Sequence, residues 1–199
     1  MTHPERFQGE IKVASRIVDY LSSGLYETPA ACLKELINNS FDADALTVKV
    51  FVKPDADRII IDDNGEGMSR QEFELHFQVI SESHKRDDSD MTILRRPKIG
   101  KIGIGFIAAN EICDLMEIFS TKKGHPELLH VTIDFKKMRE DPAVRRRQGD
   151  AFAKGDYEGE VLETDTDRQF TQIFLKGVRG QAKDILAGAT RRRGPVSLK

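Results

Sequence analysis

The chain has 199 residues, of which 39% are hydrophobic and 32% charged, with a formal net charge of −2. This composition predicts one domain with an ordinary core, and it excludes a global electrostatic attraction to nucleic acid. The sequence has no apolar run of membrane-spanning length and no signal-peptide core at its N-terminus, so the default expectation is a cytoplasmic location. Cys32 and Cys113 lie among apolar residues in predicted helices, which favours reduced core thiols over a disulfide or metal pair.

The first predicted elements are two helices. Apolar periodicity predicts a helix over residues 11–21. Thr28 and Pro29 then predict the start of the main helix, with Thr28 as its N-cap and Pro29 at its first position. Glu35, Asn39 and Asp42 follow at i, i+4 and i+7, so they share one face beside apolar residues. Burying these groups unpaired would cost about 1–3 kcal/mol each, so the stripe is either a site or a solvated face.

Two strands are predicted next, over Thr47–Val52 and Arg58–Ile61, with a turn at 54–57. The second strand runs into the sequence DDNGEGM. There Gly65 and Gly67 would allow positive φ and a close approach to a ligand. A carboxylate at the end of a buried strand can accept a hydrogen bond from an exocyclic amine. The alternative is a plain Asp-Asn-Gly turn.

The middle of the chain combines a short helix, a long polar segment and a glycine-rich loop. Ser69 with Glu72 predicts a capping box for a helix through Phe77. Residues 79–97 are polar and irregular, with a length that is typical of lids. The loop GKIGIGF, residues 100–106, leads into an apolar helix, and its backbone N–H groups would suit an anion such as phosphate. Its spacing fits neither the P-loop nor the dinucleotide fingerprint, and a flexible loop before a core helix is the alternative.

The remaining sequence predicts strands over 117–120, 129–135 and 169–175 and a helix over 181–189. Residues 136–160 are charged and interrupted by glycines, which predicts a long polar excursion or partial disorder. Three basic clusters, at 95–98, 145–147 and 191–193, could contact DNA phosphates, or they could be solvated surface.

The polar-faced helix, DDNGEGM and GKIGIGF together resemble the GHKL ATPase superfamily in order and spacing, over Ser15 to Leu175. That superfamily includes DNA gyrase B subunits, ninety-kilodalton heat-shock chaperones, sensor histidine kinases and MutL. The segment 21–29 looks most like MutL, and MORC-type ATPases are also similar. The resemblance implies the Bergerat fold, an α/β (α+β) two-layer sandwich whose mixed, largely antiparallel sheet is covered on one face by helices. It also implies an ATP-binding domain over 1–190 with a mobile lid at about 79–105, followed by a linker or tail at 191–199.

The resemblance also implies roles for individual residues. Glu35 would orient or deprotonate the attacking water, and Asn39 would bind Mg²⁺ through its amide oxygen. Asp63 would accept from the adenine amino group, and Thr171 would hold a water beside it, although Phe170 stands where the family has glycine. The remaining residues implied to contact ATP are Ala43, Gly65, Gly67, Met68, Lys85, Gly100, Lys101, Ile102, Gly103, Ile104, Gly105 and Phe106. Core packing is the alternative for Met68 and Phe106, and a solvated side chain is the alternative for Lys101.

The implied function is a Mg²⁺-dependent ATPase domain of a larger chaperone-like or DNA-processing machine, driven by lid closure and ATP-dependent homodimerisation. Its implied ligands are ATP and ADP, and further domains would supply a DNA or protein client, with no membrane partner. Hydrolysis by the domain alone would be slow, because relatives take a Lys or Arg from a following domain. The alternative is a nucleotide-gated binding module without turnover. A histidine-kinase catalytic domain is disfavoured, because such domains usually lack the acid at position 35.

Overall fold

The computed structural model describes residues 4–14, 28–53, 57–77, 79–80, 91–100, 105–136, 147–148 and 151–192. Its strands in this part of the chain are β1 (Glu5–Ala14), β2 (Val48–Lys53), β3 (Arg58–Asp63), β4 (Val79–Ile80), β5 (Cys113–Thr121), β6 (Glu127–Asp134), β7 (Arg147–Gln148), β8 (Ala151–Glu163) and β9 (Phe170–Val178). Its helices are α1 (Pro29–Asp42), α2 (Arg70–Phe77), α3 (Gly105–Ala108), which continues as a 3-10 turn (Ala109–Glu111), and α4 (Gly180–Arg192).

All the described strands join one sheet, in the order β2-β3-β9-β5-β6-β8-β1-β4, with β7 paired to β8. The β1–β4 pair is parallel, whereas the other described pairs are antiparallel. A mixed, largely antiparallel sheet with helices is therefore confirmed. Among the described residues, no helix is both long and apolar enough to cross a membrane.

The core lies between one face of this sheet and the helices. Side chains alternate along a strand, so Ile59 and Ile61 of β3 point inward and are fully buried. They belong to the same apolar cluster as Cys32, Leu33 and Leu36 on the buried side of α1. Burial of each large apolar side chain contributes about 1.5–3 kcal/mol, so this layer fixes α1 over the central strands.

The two predicted helix starts are confirmed. The Thr28 hydroxyl accepts a hydrogen bond from the Ala31 N–H at 3.2 Å, and Pro29 opens α1. At α2, the Ser69 N–H donates to Glu72 Oε2 at 2.8 Å, and the Glu72 N–H donates to Ser69 Oγ at 3.3 Å. These reciprocal bonds form the predicted capping box.

The predicted helix over 11–21 is wrong where the structure describes it, since Ile11–Ala14 belong to β1 and pair with β8. Residues 15–21 lie outside the described residues. In this segment the apolar residues fit a two-residue period as well as a helical one, and pairing with β8 decides between them.

The polar excursion predicted over 136–160 also differs from the structure, because Ala151–Glu163 form β8 between β6 and β1. Gly159, which suggested a break in the secondary structure, lies within this strand and leaves space for an aromatic ring. A Cβ added to Gly159 would overlap the ring of Phe7 on β1. The charged Glu158 and Glu160 alternate with Tyr157 and Gly159, which is the pattern of a half-buried strand.

Two smaller predictions change as well. Cys113 begins β5 and is not helical, and residues 191–192 complete α4, which shortens the predicted tail. Both cysteines are buried thiols that form no disulfide, in agreement with the predicted core position. Burial, reinforced by the nearby Glu111 charge, raises the pKa of the Cys32 thiol to about 11, so this thiol is unreactive at neutral pH.

Candidate functional site

A buried carboxylate forms the floor of the candidate site. Asp63 ends β3 on its inward face and is 5% exposed. Its Oδ2 accepts from the Ser40 hydroxyl at 2.7 Å, and its Oδ1 accepts from the Gly65 N–H at 2.9 Å. Burial raises the pKa of this carboxyl, although the bonds from Ser40 and Gly65 act in the opposite direction. The Thr171 backbone N–H also donates to this carboxylate, which still has at least one of its four acceptor positions for an incoming donor.

The sheet register places two hydroxyls beside this carboxylate. Asp63 pairs with Thr171 of β9, and Thr171 pairs in turn with Ser120 of β5. The Thr171 and Ser120 hydroxyl oxygens are 2.9 Å apart. Ser120 is fully buried and accepts from the Met68 N–H at 2.8 Å. A continuous polar row therefore crosses three strands on the inner face of an otherwise apolar sheet.

The segment after β3 contributes a glycine-containing wall. Gly67 has φ +70°, and a Cβ there would overlap the Thr121 carbonyl oxygen, so both its conformation and its surroundings require glycine. Positive φ, which either glycine would allow, is adopted at Gly67 and not at Gly65. Close packing explains the glycine at position 65, because an added Cβ would lie 2.7 Å from the Ala43 carbonyl oxygen. Met68 packs against the apolar core, in agreement with the packing alternative.

The end of α1 is attached to this wall. Ala43 directly follows the helix, and its carbonyl oxygen accepts from the Glu66 N–H at 2.8 Å. Asn64 supports the same junction, because its side-chain oxygen accepts from the Leu46 and Thr47 N–H groups at 3.0 and 2.8 Å. The predicted neighbours Ala43, Asp63 and Gly65 therefore lie together.

The polar face of α1 borders the start of the glycine-rich loop. Glu35 is partly buried and Asn39 is exposed, on the boundary between the core side and solvent. A Cβ added to Gly100 would lie 3.7 Å from Asn39 Oδ1, so the amide lies beside this loop. Asp42 accepts from the Ile99 and Gly100 N–H groups at 2.9 and 2.7 Å. The Gly100 N–H predicted to bind phosphate is therefore bonded to Asp42 in this structure.

A second aspartate holds the preceding part of this segment. Asp44 is buried, and its Oδ2 accepts from the Leu94 N–H at 2.9 Å. Burial acts to raise the pKa of Asp44, but hydrogen bonds from Thr92 and Leu94 and the charge of Arg96 outweigh it, so the pKa lies below its ordinary value. Arg96 also donates to the Ala45 carbonyl at 2.9 Å, so this member of the first basic cluster is engaged within the chain.

The structure brings the sequence-predicted residues that it describes together in two places. Ala43, Asp63, Gly65, Gly67, Met68 and Thr171 meet at one end of the central strands, and Asn39 and Gly100 meet at the end of α1. Phe106 is 4% exposed in the apolar cluster, which confirms its packing alternative, and Gly105 begins α3. The predictions for Lys85, Lys101, Ile102, Gly103 and Ile104 lie outside the described residues.

Two site residues were missed in the sequence, Ser40 and Ser120. Each left a signal. Ser40 follows the buried Leu36 by four residues and Cys32 by eight, so it occupies the core side of α1. Ser120 follows Met116 and Ile118 at the inward positions of β5. Both serines therefore occupy positions at which the periodicity of the helix or strand predicts a buried apolar residue.

The profile of a family described as histidine kinase-, DNA gyrase B- and HSP90-like ATPases matches residues 26–156, which include α1, the wall, the Gly100 loop and much of the sheet. The chain belongs to this ATPase family. The resemblance of the sequence motifs to GHKL ATPases is thereby confirmed, and so is the Bergerat type of fold. The domain is an HSP90-like ATP-binding domain.

Two relatives of this HSP90-like domain show the breadth of the family. The chain is 36% identical over 117 residues to the Herpetosiphon aurantiacus protein HgiDII, whose name describes a type II restriction enzyme; the match covers 59% of this chain and 19% of that protein. It is 30% identical over 150 residues to the chaperone protein HtpG of Bacillus subtilis, covering 62% of this chain and 22% of HtpG. The chain thus spans about a fifth of the length of either relative.

Proposed function

We propose that this domain binds Mg-ATP with the adenine against Asp63 and the phosphates toward Asn39 and the Gly100 loop. The observation that carries the proposal is the Asp63 carboxylate, buried at a strand end and held by Ser40 and Gly65. Ser40, Gly65 and the Thr171 backbone N–H leave at least one of the four acceptor positions of this carboxylate, which favours a ligand that brings its own donor. The exocyclic amine of adenine is such a donor.

The chemistry of the phosphate end follows from α1. Mg²⁺ prefers oxygen ligands in an octahedron and retains several waters, so one amide oxygen from Asn39 together with phosphate oxygens would hold it. The metal would neutralise charge on the transferred phosphoryl group. Glu35 lies one helical turn before Asn39, where its carboxylate would orient or deprotonate the attacking water. Asp42 lies on the same face, and its bonds to Ile99 and Gly100 would position the loop.

Lid closure and dimerisation complete the proposed cycle. Residues 91–100, which belong to the predicted lid, are attached to the end of α1 by Asp42 and Asp44. Nucleotide bound beside Asn39 would therefore act on the root of the lid directly. We propose that closure promotes homodimerisation in a longer protein, in which a client is a polypeptide or DNA, since the relatives' names describe a chaperone and a restriction enzyme.

Calorimetric titration of ADP and of a non-hydrolysable ATP analogue, with and without Mg²⁺, tests the proposal. Both nucleotides should bind, and Mg²⁺ should strengthen binding of the analogue by at least about tenfold through charge neutralisation. Asn39→Ala should remove that Mg²⁺ dependence while leaving most of the ADP affinity. Absence of heat with every nucleotide would overturn the proposal.

Turnover is tested separately with Glu35→Ala. This variant should bind nucleotide like the wild type and lose hydrolysis in the full-length protein, because it removes only the group that acts on water. A full-length wild-type protein that binds ATP without hydrolysing it would favour the nucleotide-gated module instead. Equal hydrolysis by the wild type and the variant would contradict the role of Glu35.

A further inference from the structure

We propose that Ser120 is a positioning residue for base recognition, which turns the Thr171 hydroxyl so that Thr171 and Asp63 both present acceptors to the group at position 6 of the purine. The inference rests on the proposed nucleotide function and deepens it, because it names the feature that selects a 6-amino purine over a 6-oxo purine. Ser120 itself is fully buried and bonded to the backbone of the wall residue Met68, so it would act through Thr171.

The Ser120 hydroxyl has three polar neighbours within hydrogen-bonding distance. It accepts from the Met68 N–H at 2.8 Å, it lies 2.9 Å from the Thr171 hydroxyl oxygen, and it lies 3.3 Å from the Phe170 carbonyl oxygen, to which it can donate. The residue is fully buried, so water does not compete for these positions. A hydroxyl has one proton and two lone pairs, which is three positions for three neighbours.

The identities of these neighbours determine the direction of each bond. Met68 N–H can only donate, so it occupies one lone pair of Ser120. The Phe170 carbonyl can only accept, so it takes the Ser120 proton. One lone pair remains for Thr171, which must then donate its proton to Ser120. The opposite arrangement, in which Ser120 donates to Thr171, leaves the Phe170 contact without a proton and one buried Ser120 lone pair without a donor.

With its proton directed toward Ser120, Thr171 has only lone pairs to offer elsewhere. Its cross-strand neighbour Asp63 is likewise an acceptor, already held by donors from Ser40 and Gly65. Two acceptors side by side suit the amino group of adenine. They disfavour the carbonyl oxygen at the same position in hypoxanthine, because that oxygen would meet lone pairs and have no donor.

The position of Ser120 also explains why sheet register matters to the site. Asp63, Thr171 and Ser120 are consecutive members of one cross-strand row, and Gly67 of the site wall packs against the adjacent Thr121 carbonyl. A single hydroxyl on β5 therefore touches both the wall, through Met68, and the base-recognition row, through Thr171.

The test is the ratio of the dissociation constants for IDP and ADP, which share the ribose and phosphates and differ at position 6 of the purine and in the proton that N1 carries in IDP. The contribution of N1 is common to the wild type and the variants, so the change in the ratio reports on position 6. In the wild type the ratio should be large, about 100 or more, as expected for a buried polar mismatch. Ser120→Ala frees the Thr171 proton to donate, so the ratio should fall about tenfold or more. Ser120→Thr keeps the hydroxyl and should keep most of the discrimination.

If Ser120 has only a structural role, Ser120→Ala should weaken the binding of ADP and of IDP by the same factor. That result, or an unchanged ratio, would overturn the proposal. If Ser120→Ala does not fold, Ser120→Cys is the second variant, because a thiol is a weak donor and acceptor of similar size, and it should lower the ratio likewise.

A double-mutant cycle tests whether Ser120 acts through the Thr171 hydroxyl. Thr171→Val removes the hydroxyl that Ser120 is proposed to turn, so adding Ser120→Ala to Thr171→Val should leave the ratio where Thr171→Val placed it. A further fall would mean that Ser120 acts by another route and would contradict the inference. Failure of the wild type to bind ADP would instead reject the nucleotide function, which the Ser120 experiments presuppose.

Discussion

Two buried aspartates of the candidate site have carboxyl pKa values that shift in opposite directions. Asp63 forms the floor within the sheet, and burial raises the pKa of its carboxyl. Asp44 anchors the 91–100 segment at the end of α1, and despite burial its pKa is lowered by bonds from Thr92 and Leu94 and by the Arg96 charge. The floor carboxylate accepts a hydrogen bond on each oxygen, whereas the anchor accepts from Leu94 on Oδ2 and has the Arg96 charge 3.9 Å from its other oxygen.

The difference has consequences for stability against pH. A lowered folded-state pKa means that Asp44 stabilises the native state above its ordinary unfolded value, and that this contribution is lost as the pH falls through the folded-state pKa. A raised pKa gives Asp63 the opposite sign: its contribution is fully present below the unfolded value and is lost as the pH rises through the folded-state pKa. The ionised Asp63 carboxylate therefore lowers the stability of the native state, and an amino group that donates to it would offset this loss.

The largest expected effect comes from converting the floor acceptor into a donor. Asp63→Asn should weaken ADP binding by about 100-fold or more, because the new NH₂ group would face the Ser40 hydroxyl, the Gly65 N–H or the adenine amine. The matched control is Asp62→Asn, since Asp62 precedes it on the outward face of β3 and bonds to Gln172 at 3.0 Å. Calorimetry should show unchanged affinity for the control, and equal losses in both variants would contradict the assignment.

The next effect concerns the wall beside that floor. Gly67→Ala should lower the free energy of unfolding by about 3 kcal/mol or more, because it adds a clash with the Thr121 carbonyl to the strain of positive φ. Gly124→Ala supplies the control, since Gly124 has φ +85° but nothing within 4 Å of an added Cβ, so strain alone should cost about 1 kcal/mol. Urea unfolding measures both. Similar losses would show that the contact with β5 contributes nothing.

The floor and the anchor also differ in how far the sequence could predict them. Asp63, Gly65 and Gly67 follow a β-branched strand directly, so local pattern was sufficient to place them. The neighbour Ser120 is 57 positions beyond Asp63 along the chain and meets it only through the pairing of β3, β9 and β5. Strand order and register are decided by the whole sheet, so no local pattern could reveal that row.

The contacts of the anchor were also beyond the reach of local sequence patterns. Local spacing placed Asp42 on the polar face of α1, but it could not reveal the bonds from the distant Ile99 and Gly100 N–H groups. Asp44 was not singled out, because its left-handed conformation, φ 58°, and its partner Leu94 depend on where a distant loop returns. Strand β8 was missed for a related reason, since Gly159 resembles a break until the ring of Phe7 is placed against it.

A smaller effect should appear when the anchor is weakened. Asp44→Asn removes the negative charge that accepts from Leu94 N–H, so hydrogen exchange at the Leu94 amide should accelerate about fivefold or more. In the wild type the same acceleration, corrected for the intrinsic rate, should appear as the pH falls through the lowered pKa of Asp44. The control is Asp165→Asn, because Asp165 makes the same kind of bond, to the Asp167 N–H at 3.0 Å, in an unrelated turn. Equal Leu94 exchange in both variants would show that Asp44 does not hold the 91–100 segment in place.

The smallest expected effect tests whether floor and anchor share a common support. Both depend on α1, which supplies Ser40 to the floor and leads into Asp44, and the N-cap of that helix is Thr28. Thr28→Ala should lower the free energy of unfolding by about 1 kcal/mol, while Thr28→Ser retains the cap and should lose much less. Because Thr28 is exposed and about two turns before Glu35, ADP affinity should change by less than about twofold. A larger loss of affinity with the same loss of stability would mean that fraying of α1 reaches the floor, so that the two aspartates report on one cooperative unit and not on two separable regions.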